Sequence, residues 1–336
     1  RMTAALTPPA APAAARPAGV PRQWRWLARL HRPSLIGGGA LVLLAAAALV
    51  WLGGPLTDAS AAAWKAYNAC GFTPRCSYDQ SAILLYKDVY NYVTFAVLAV
   101  PFLVAAWAGG ALVGRETESG TARLAWTQGV SPARWLASRL VLPAVLTVAG
   151  TGLLAALHRW AWATGRDRID TTKSWYDAAT FHANGIVPVG LALAGLAAGA
   201  LAGLVLRRAT AALAAAAVAV GVLWGAVHAA LPYLWPSVTR VTTLDEGPLG
   251  SGLHVGEGVL TAGGGRAAAP CLTSQMQSCR DTLADMGATA FYRDLHPASH
   301  YWPLQLVATG ILLAVAGLLT YAAFRVLRRT TGTARG

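Results

Sequence analysis

The sequence predicts an all-α, polytopic membrane protein with six transmembrane helices, both termini in the cytoplasm and a large extracytoplasmic loop between spans five and six. Two observations carry that expectation. Six stretches, 35–53, 91–114, 140–158, 184–206, 209–235 and 303–324, hold no Asp, Glu, Lys or Arg. Each reaches the ~20 apolar residues needed to cross ~30 Å of hydrocarbon. The segments between them sort their charge. With the spans alternating, one side collects 16 Lys+Arg against 2 acids and the other 11 against 12, and the positive-inside rule makes the first side cytoplasmic. At 55% hydrophobic and 12% charged residues, the 336-residue chain has too little charge to cover a soluble domain of its size. Its net charge of +13 lies beside the membrane. It therefore implies membrane lipids as partners, and no nucleic acid.

Residues 1–21 are an Ala/Pro-rich arm that cannot build a core. In 22–34 a short amphipathic helix is expected. At 100° per residue Arg22, Arg25, Arg29 and Arg32 fall within about 80° of arc, with Trp24 and Trp26 opposite, the pattern of a helix lying in the membrane interface. The first span lacks a small-residue cleavage site and reads as a retained anchor. A five-span region, 35–235, follows, interrupted by outer loops at 54–90 and 159–183 and by an inner connection at 115–139. Trp160, Trp162 and Trp175 in the second outer loop read as interfacial anchors. Residues 236–302 form an extracytoplasmic cap with a glycine-rich stretch and a helix-compatible segment near 272–292. The sixth span and a basic cytoplasmic tail occupy 303–336. Gly195, Gly199 and Gly203 recur every four residues, a small-residue face suited to close packing of helices within the chain.

Cys70, Cys76, Cys271 and Cys279 all fall in predicted outer loops. Three pairings are open; the two local ones are entropically easiest, on a side where oxidation is permitted. A zinc site from His254, Cys271, Cys279 and His296 lacks close ligand spacing, so no metal site is expected.

Uncharged spans lack the acidic or basic relays of a gradient-driven transporter. His158 and His228, at span ends, are the titratable groups left for an intramembrane enzyme. The sequence contains no catalytic G-x-S-x-G or H-E-x-x-H and no G-x-x-x-x-G-K-[ST] nucleotide loop. Uphill movement would then draw on a second polypeptide docked at the cytoplasmic face. Within 115–139, Gly120 and Gly129–Pro132 bracket a two-turn helix over 121–128, and Ser131-Pro132 reads as the cap and first residue of the next helix. That connection holds the inner-side acids, Glu116 and Glu118, and offers Trp126 as an exposed aromatic.

The run Gly114-Arg115-Glu116-x-Glu118-x-Gly120-Thr121-x-Arg123-Leu124-Ala125-Trp126-Thr127-Gln128-Gly129-Val130-Ser131-x-x-Arg134-Trp135-Leu136 resembles permease subunits of type-2 ATP-binding-cassette (ABC) exporters, in the form found in streptomycetes and related actinobacteria. Gly185-Ile186-Val187-Pro188 through Leu206-Arg207-Arg208, and His296-Pro297-Ala298-Ser299-x-Tyr301-Trp302-x-x-Gln305, are similar to the same group. The resemblance implies a coupling helix that meets an ATPase through Glu116, Glu118, Gly120, Thr121, Arg123, Trp126, Thr127 and Gln128. It also implies an interfacial N-terminal helix, a second permease copy (a homodimer), and ATP and Mg bound by the partner rather than by this chain. The chain is then a transporter membrane subunit and not an enzyme. An amphipathic or lipophilic cargo suits the uncharged spans. A membrane sensor or assembly scaffold whose outer loop binds a ligand is the alternative that remains open.

Overall fold

The computed structural model describes Arg29 and residues 32–71, 76–272 and 277–332. Arg22, Trp24, Arg25 and Trp26 of the expected interfacial helix lie outside the described residues. Arg29 is helical and exposed, and Arg32 opens the first long helix.

Among the described residues six helices are long and apolar enough to cross a membrane: Arg32–Ala69, Gln80–Glu118, Pro132–Gly165, Val187–Leu206, Ala209–Tyr233 and Ala298–Thr331. We number them spans one to six. Several outlast the apolar stretches, because loss of apolarity marks where hydrocarbon ends and not where helical propensity ends. In span one the helix Arg32–Trp51 passes through a wide π turn, Leu52–Leu56, into Thr57–Ala69. Pro55 has no N–H to donate and Gly54 leaves helical geometry (φ −107°, ψ −106°), so the helix kinks. The Thr57 hydroxyl then donates to the Leu52 carbonyl at 2.6 Å, recovering one of the bonds the kink disturbs. The expected outer loop 54–90 is therefore mostly helix, its Ala-rich sequence favouring one. Span two starts at Gln80, where the Asp79 carboxylate accepts from the Ala82 N–H at 3.1 Å.

Span four is the hub, with 67% of its apolar stretch buried against 11% for span one. Glycine makes that possible. A Cβ on Gly199 would lie 2.5 Å from the Ala105 carbonyl oxygen and 2.7 Å from the Gly109 nitrogen. At Gly195 it would lie 2.9 Å from the Pro101 oxygen, and at Gly203 2.8 Å from the Gly114 nitrogen. The Gly195/Gly199/Gly203 face is thus an intramolecular seam between spans four and two. Along that seam span two widens into a π segment, Ala108–Gly114, before the inner connection.

The all-α expectation needs correction. Between spans five and six stand strands β1 (Val238–Thr242), β2 (Leu253–Thr261), β3 (Arg266–Ala267) and β4 (Ala288–His296), in an antiparallel sheet ordered β1-β4-β2-β3. One helix, Gln277–Asp285, packs on it through Cys279 and Leu283 against Val259 and Phe291. The helix expected near 272–292 ends early because Gly287 takes φ +63°. Beyond it β4 buries Phe291 and Leu295, side chains that suit a pleated half-buried surface. The cysteines bond locally, Cys70 to Cys76 and Cys271 to Cys279, with Cα separations of 5.6 and 6.0 Å.

Candidate functional site

The connection between spans two and three is built from caps. Gly120 turns the chain with φ +75°, a conformation that costs other residues a Cβ clash, and Thr121–Thr127 follows as a two-turn helix. Gln128 sits at its C-cap and Gly129 (φ +88°) ends it. Ser131 accepts from the Arg134 N–H at 3.3 Å and Pro132 fills the first turn of span three. The short helix has two faces. Ala122 is buried, and Trp126 is half-buried, edge-on to Trp135 at 5.8 Å. Thr121, Arg123, Leu124, Thr127 and Gln128 face outward, Leu124 at 58% exposure. The aromatic that the sequence offered as exposed thus points inward, and the apolar contact on the outer face is Leu124.

Three consecutive residues before that helix bind three different spans. Glu116 turns inward to Arg139 of span three, Oε1 lying 2.7 Å from Nη2. Its Oε2 accepts from Arg139 Nη2 at 3.0 Å, Arg139 Nε at 3.2 Å and the Trp135 indole N–H at 3.0 Å. Arg139 is almost wholly buried, so the carboxylate neutralises a charge that would otherwise be costly there. The Thr117 hydroxyl lies 3.0 Å from the Gly203 carbonyl of span four. Glu118 Oε2 accepts from the Ala209 N–H of span five at 2.9 Å, where the N-cap residue Arg208 offers no acceptor. Arg139, Trp135 and Thr117 were not among the residues singled out from sequence. An ion pair across 23 positions leaves no local pattern beyond an arginine opening an apolar span, which demands an acid from elsewhere in the fold.

The opposite end holds a second polar assembly. His158 of span three is fully buried, with Nε2 2.8 Å from the Thr94 hydroxyl and Nδ1 2.6 Å from Asn184 Oδ1. Gln305 of span six ties down the start of span four. Its Oε1 accepts from the Ile186 and Val187 N–H groups at 3.1 Å each, and its Nε2 donates to the Phe181 carbonyl at 2.9 Å. These contacts give the Gly185–Pro188 and His296–Gln305 motifs a packing role. His228 stacks on Trp224 at 5.6 Å. In the short helix Ala178–Ala183, outside the spans, the buried His182 donates from Nδ1 to the Ala178 carbonyl at 2.8 Å, and burial lowers its pKa to about 4. Cys271 and Cys279 are bonded to each other, which removes two ligands from the zinc set considered from sequence. Of the three tryptophans expected as interfacial anchors, Trp160 is exposed, whereas Trp162 and Trp175 are buried.

Six apolar spans, with a capped helix slung between the second and third, define a multi-pass membrane protein. Residues 39–231, more than half of the chain, match the family model described as ABC-2 membrane transporter related, and the chain belongs to that family. Membership makes it a membrane component of an ABC transporter rather than a catalytic subunit, and implies an ATPase partner. No curated protein and no solved structure matches.

Proposed function

We propose that this chain is the permease subunit of an ATP-driven exporter for an amphipathic or lipophilic compound, of the type found in streptomycetes and related actinobacteria. The working unit we propose is a homodimer served by separate ATPase subunits that bind ATP and Mg. Both termini and the 115–139 connection lie in the cytoplasm, a reading supported by the sorting of arginine to that side.

One observation carries the mechanism. The helix Thr121–Thr127 presents Leu124 and Arg123 outward, while the residues just before it hold spans three, four and five. Nucleotide-driven closure of the ATPases presses on that outer face, and the displacement passes through Glu116, Thr117 and Glu118 into three spans together. Where Glu116 and Trp126 face inward, their role is to transmit; Leu124, Arg123, Thr127 and Gln128 make the contact. Leu124→Glu tests this in the reconstituted permease–ATPase complex. The expected outcome is a correctly folded permease whose ATPase partner dissociates or whose hydrolysis no longer responds to cargo. Unchanged association and coupling would refute the docking role.

A further inference from the structure

We propose that Arg159, at the end of span three remote from the inner connection, holds the phosphate of an anionic phospholipid headgroup. Arg159 is 27 residues beyond Pro132, about 40 Å along a helix rising 1.5 Å per residue. That is longer than the ~30 Å hydrocarbon layer, so an arginine there reaches headgroup depth when Pro132 sits at the other boundary.

The guanidinium lies among aromatic rings, with Cζ 4.5 Å from the Tyr301 centroid, 5.1 Å from Trp302 and 5.7 Å from Trp162. The Tyr301 hydroxyl also interacts with Arg159, and the remaining N–H donors of the guanidinium are left for a further acceptor. This chain supplies no carboxylate to that edge. All 14 acids fall among the described residues, and none forms an ion pair with Arg159. Three acids at this end are engaged elsewhere: Asp58 with Arg168 at 2.8 Å, Asp167 with Arg166 at 3.3 Å, and Asp170 with the Asn68 amide at 3.0 Å. Its neighbour Trp160 and the ring of Trp302 are each more than two-fifths exposed, as aromatics at headgroup level are. A fixed, weakly hydrated fork without a counter-ion, flanked by exposed indoles, matches a phosphate diester anchored in the adjacent leaflet. The inference is independent of the transport reading.

The test uses the full chain in mild detergent, with tryptophan quenching by phosphatidylglycerol brominated on its acyl chains as the readout. Arg159→Gln should weaken binding about tenfold, the scale of one charge-assisted hydrogen-bonded contact. Arg159→Lys, which keeps the charge and loses the fork, should fall between. Arg168→Gln, which removes one charge from the same end, should bind as the parent does. Brominated diacylglycerol, with the same chains and no phosphate, should be insensitive to Arg159→Gln. Equal affinity of the parent and Arg159→Gln for phosphatidylglycerol overturns the proposal. If Arg159→Gln does not fold, parent-like binding by Arg159→Lys overturns it instead. Displacement of the lipid by inorganic phosphate at concentrations similar to the lipid's own would assign the site to a free anion and also overturn the lipid reading.

Discussion

Glu116→Gln isolates the contact on which the inner connection depends. Arg139 has 3% of its side chain exposed and Glu116 12%, and the carboxylate satisfies the guanidinium at 2.7–3.2 Å together with the Trp135 N–H. The neutral amide removes the counter-charge that Glu116 supplies to a buried cation, and breaking one side of such a pair costs about 3–5 kcal/mol. Arg139→Met should cost less, because the stranded carboxylate is the more accessible partner and keeps Trp135. Removing both charges should recover most of the loss, giving a coupling energy of about 2–3 kcal/mol in the double-mutant cycle. Unfolding by graded SDS in mixed micelles measures all four proteins. Transport supplies a separate readout: the double variant should regain stability without regaining coupled ATPase activity, since the link to span three is gone. If Glu116→Gln unfolds within about 0.5 kcal/mol of the parent, or the two changes simply add, the pair does not hold the connection and the reasoning fails.

The seam between spans four and two makes a second prediction. Gly199→Ala adds one carbon 2.5 Å from a backbone oxygen and should destabilise the protein by about 1–3 kcal/mol, whereas Gly152→Ala, with no atom within 4 Å of its added carbon, should be neutral in the same unfolding assay. His182 makes a third. Its folded pKa of about 4 lies below the ordinary 6.5, so the unfolded chain binds the proton more tightly. The stability present above pH ~6.5 should then be lost as pH falls through that value toward 4. His182→Leu should flatten this part of the pH–stability profile, and an unchanged slope would refute the assignment to His182.

Much of the inner connection could be read directly. Gly120, Gly129 and Ser131-Pro132 bound the short helix because caps and left-handed turns depend on residues a few positions apart. Which way each side chain on that helix faces could not be read, because seven residues are too few for a dependable apolar stripe. Trp126 looked like a contact for a partner and instead meets Trp135, while Leu124 took the outer face. The 236–302 segment was obscured for another reason. Its strands pair across long separations, as Leu253 with His296, and no local periodicity records such a pairing.

Composition and charge alone established the membrane class and the number of spans. Hydrocarbon is a solvent that selects for length and apolarity residue by residue, and both quantities survive in a linear string. Three-dimensional packing settled what those spans do to one another. It made span four the centre, turned the Gly195–Gly203 face toward span two, and joined Glu116, Thr117 and Glu118 to three separate helices. Such contacts link residues as far apart in sequence as Gly195 and Pro101, and their energy depends on burial and distance, which exist only once the chain has closed on itself.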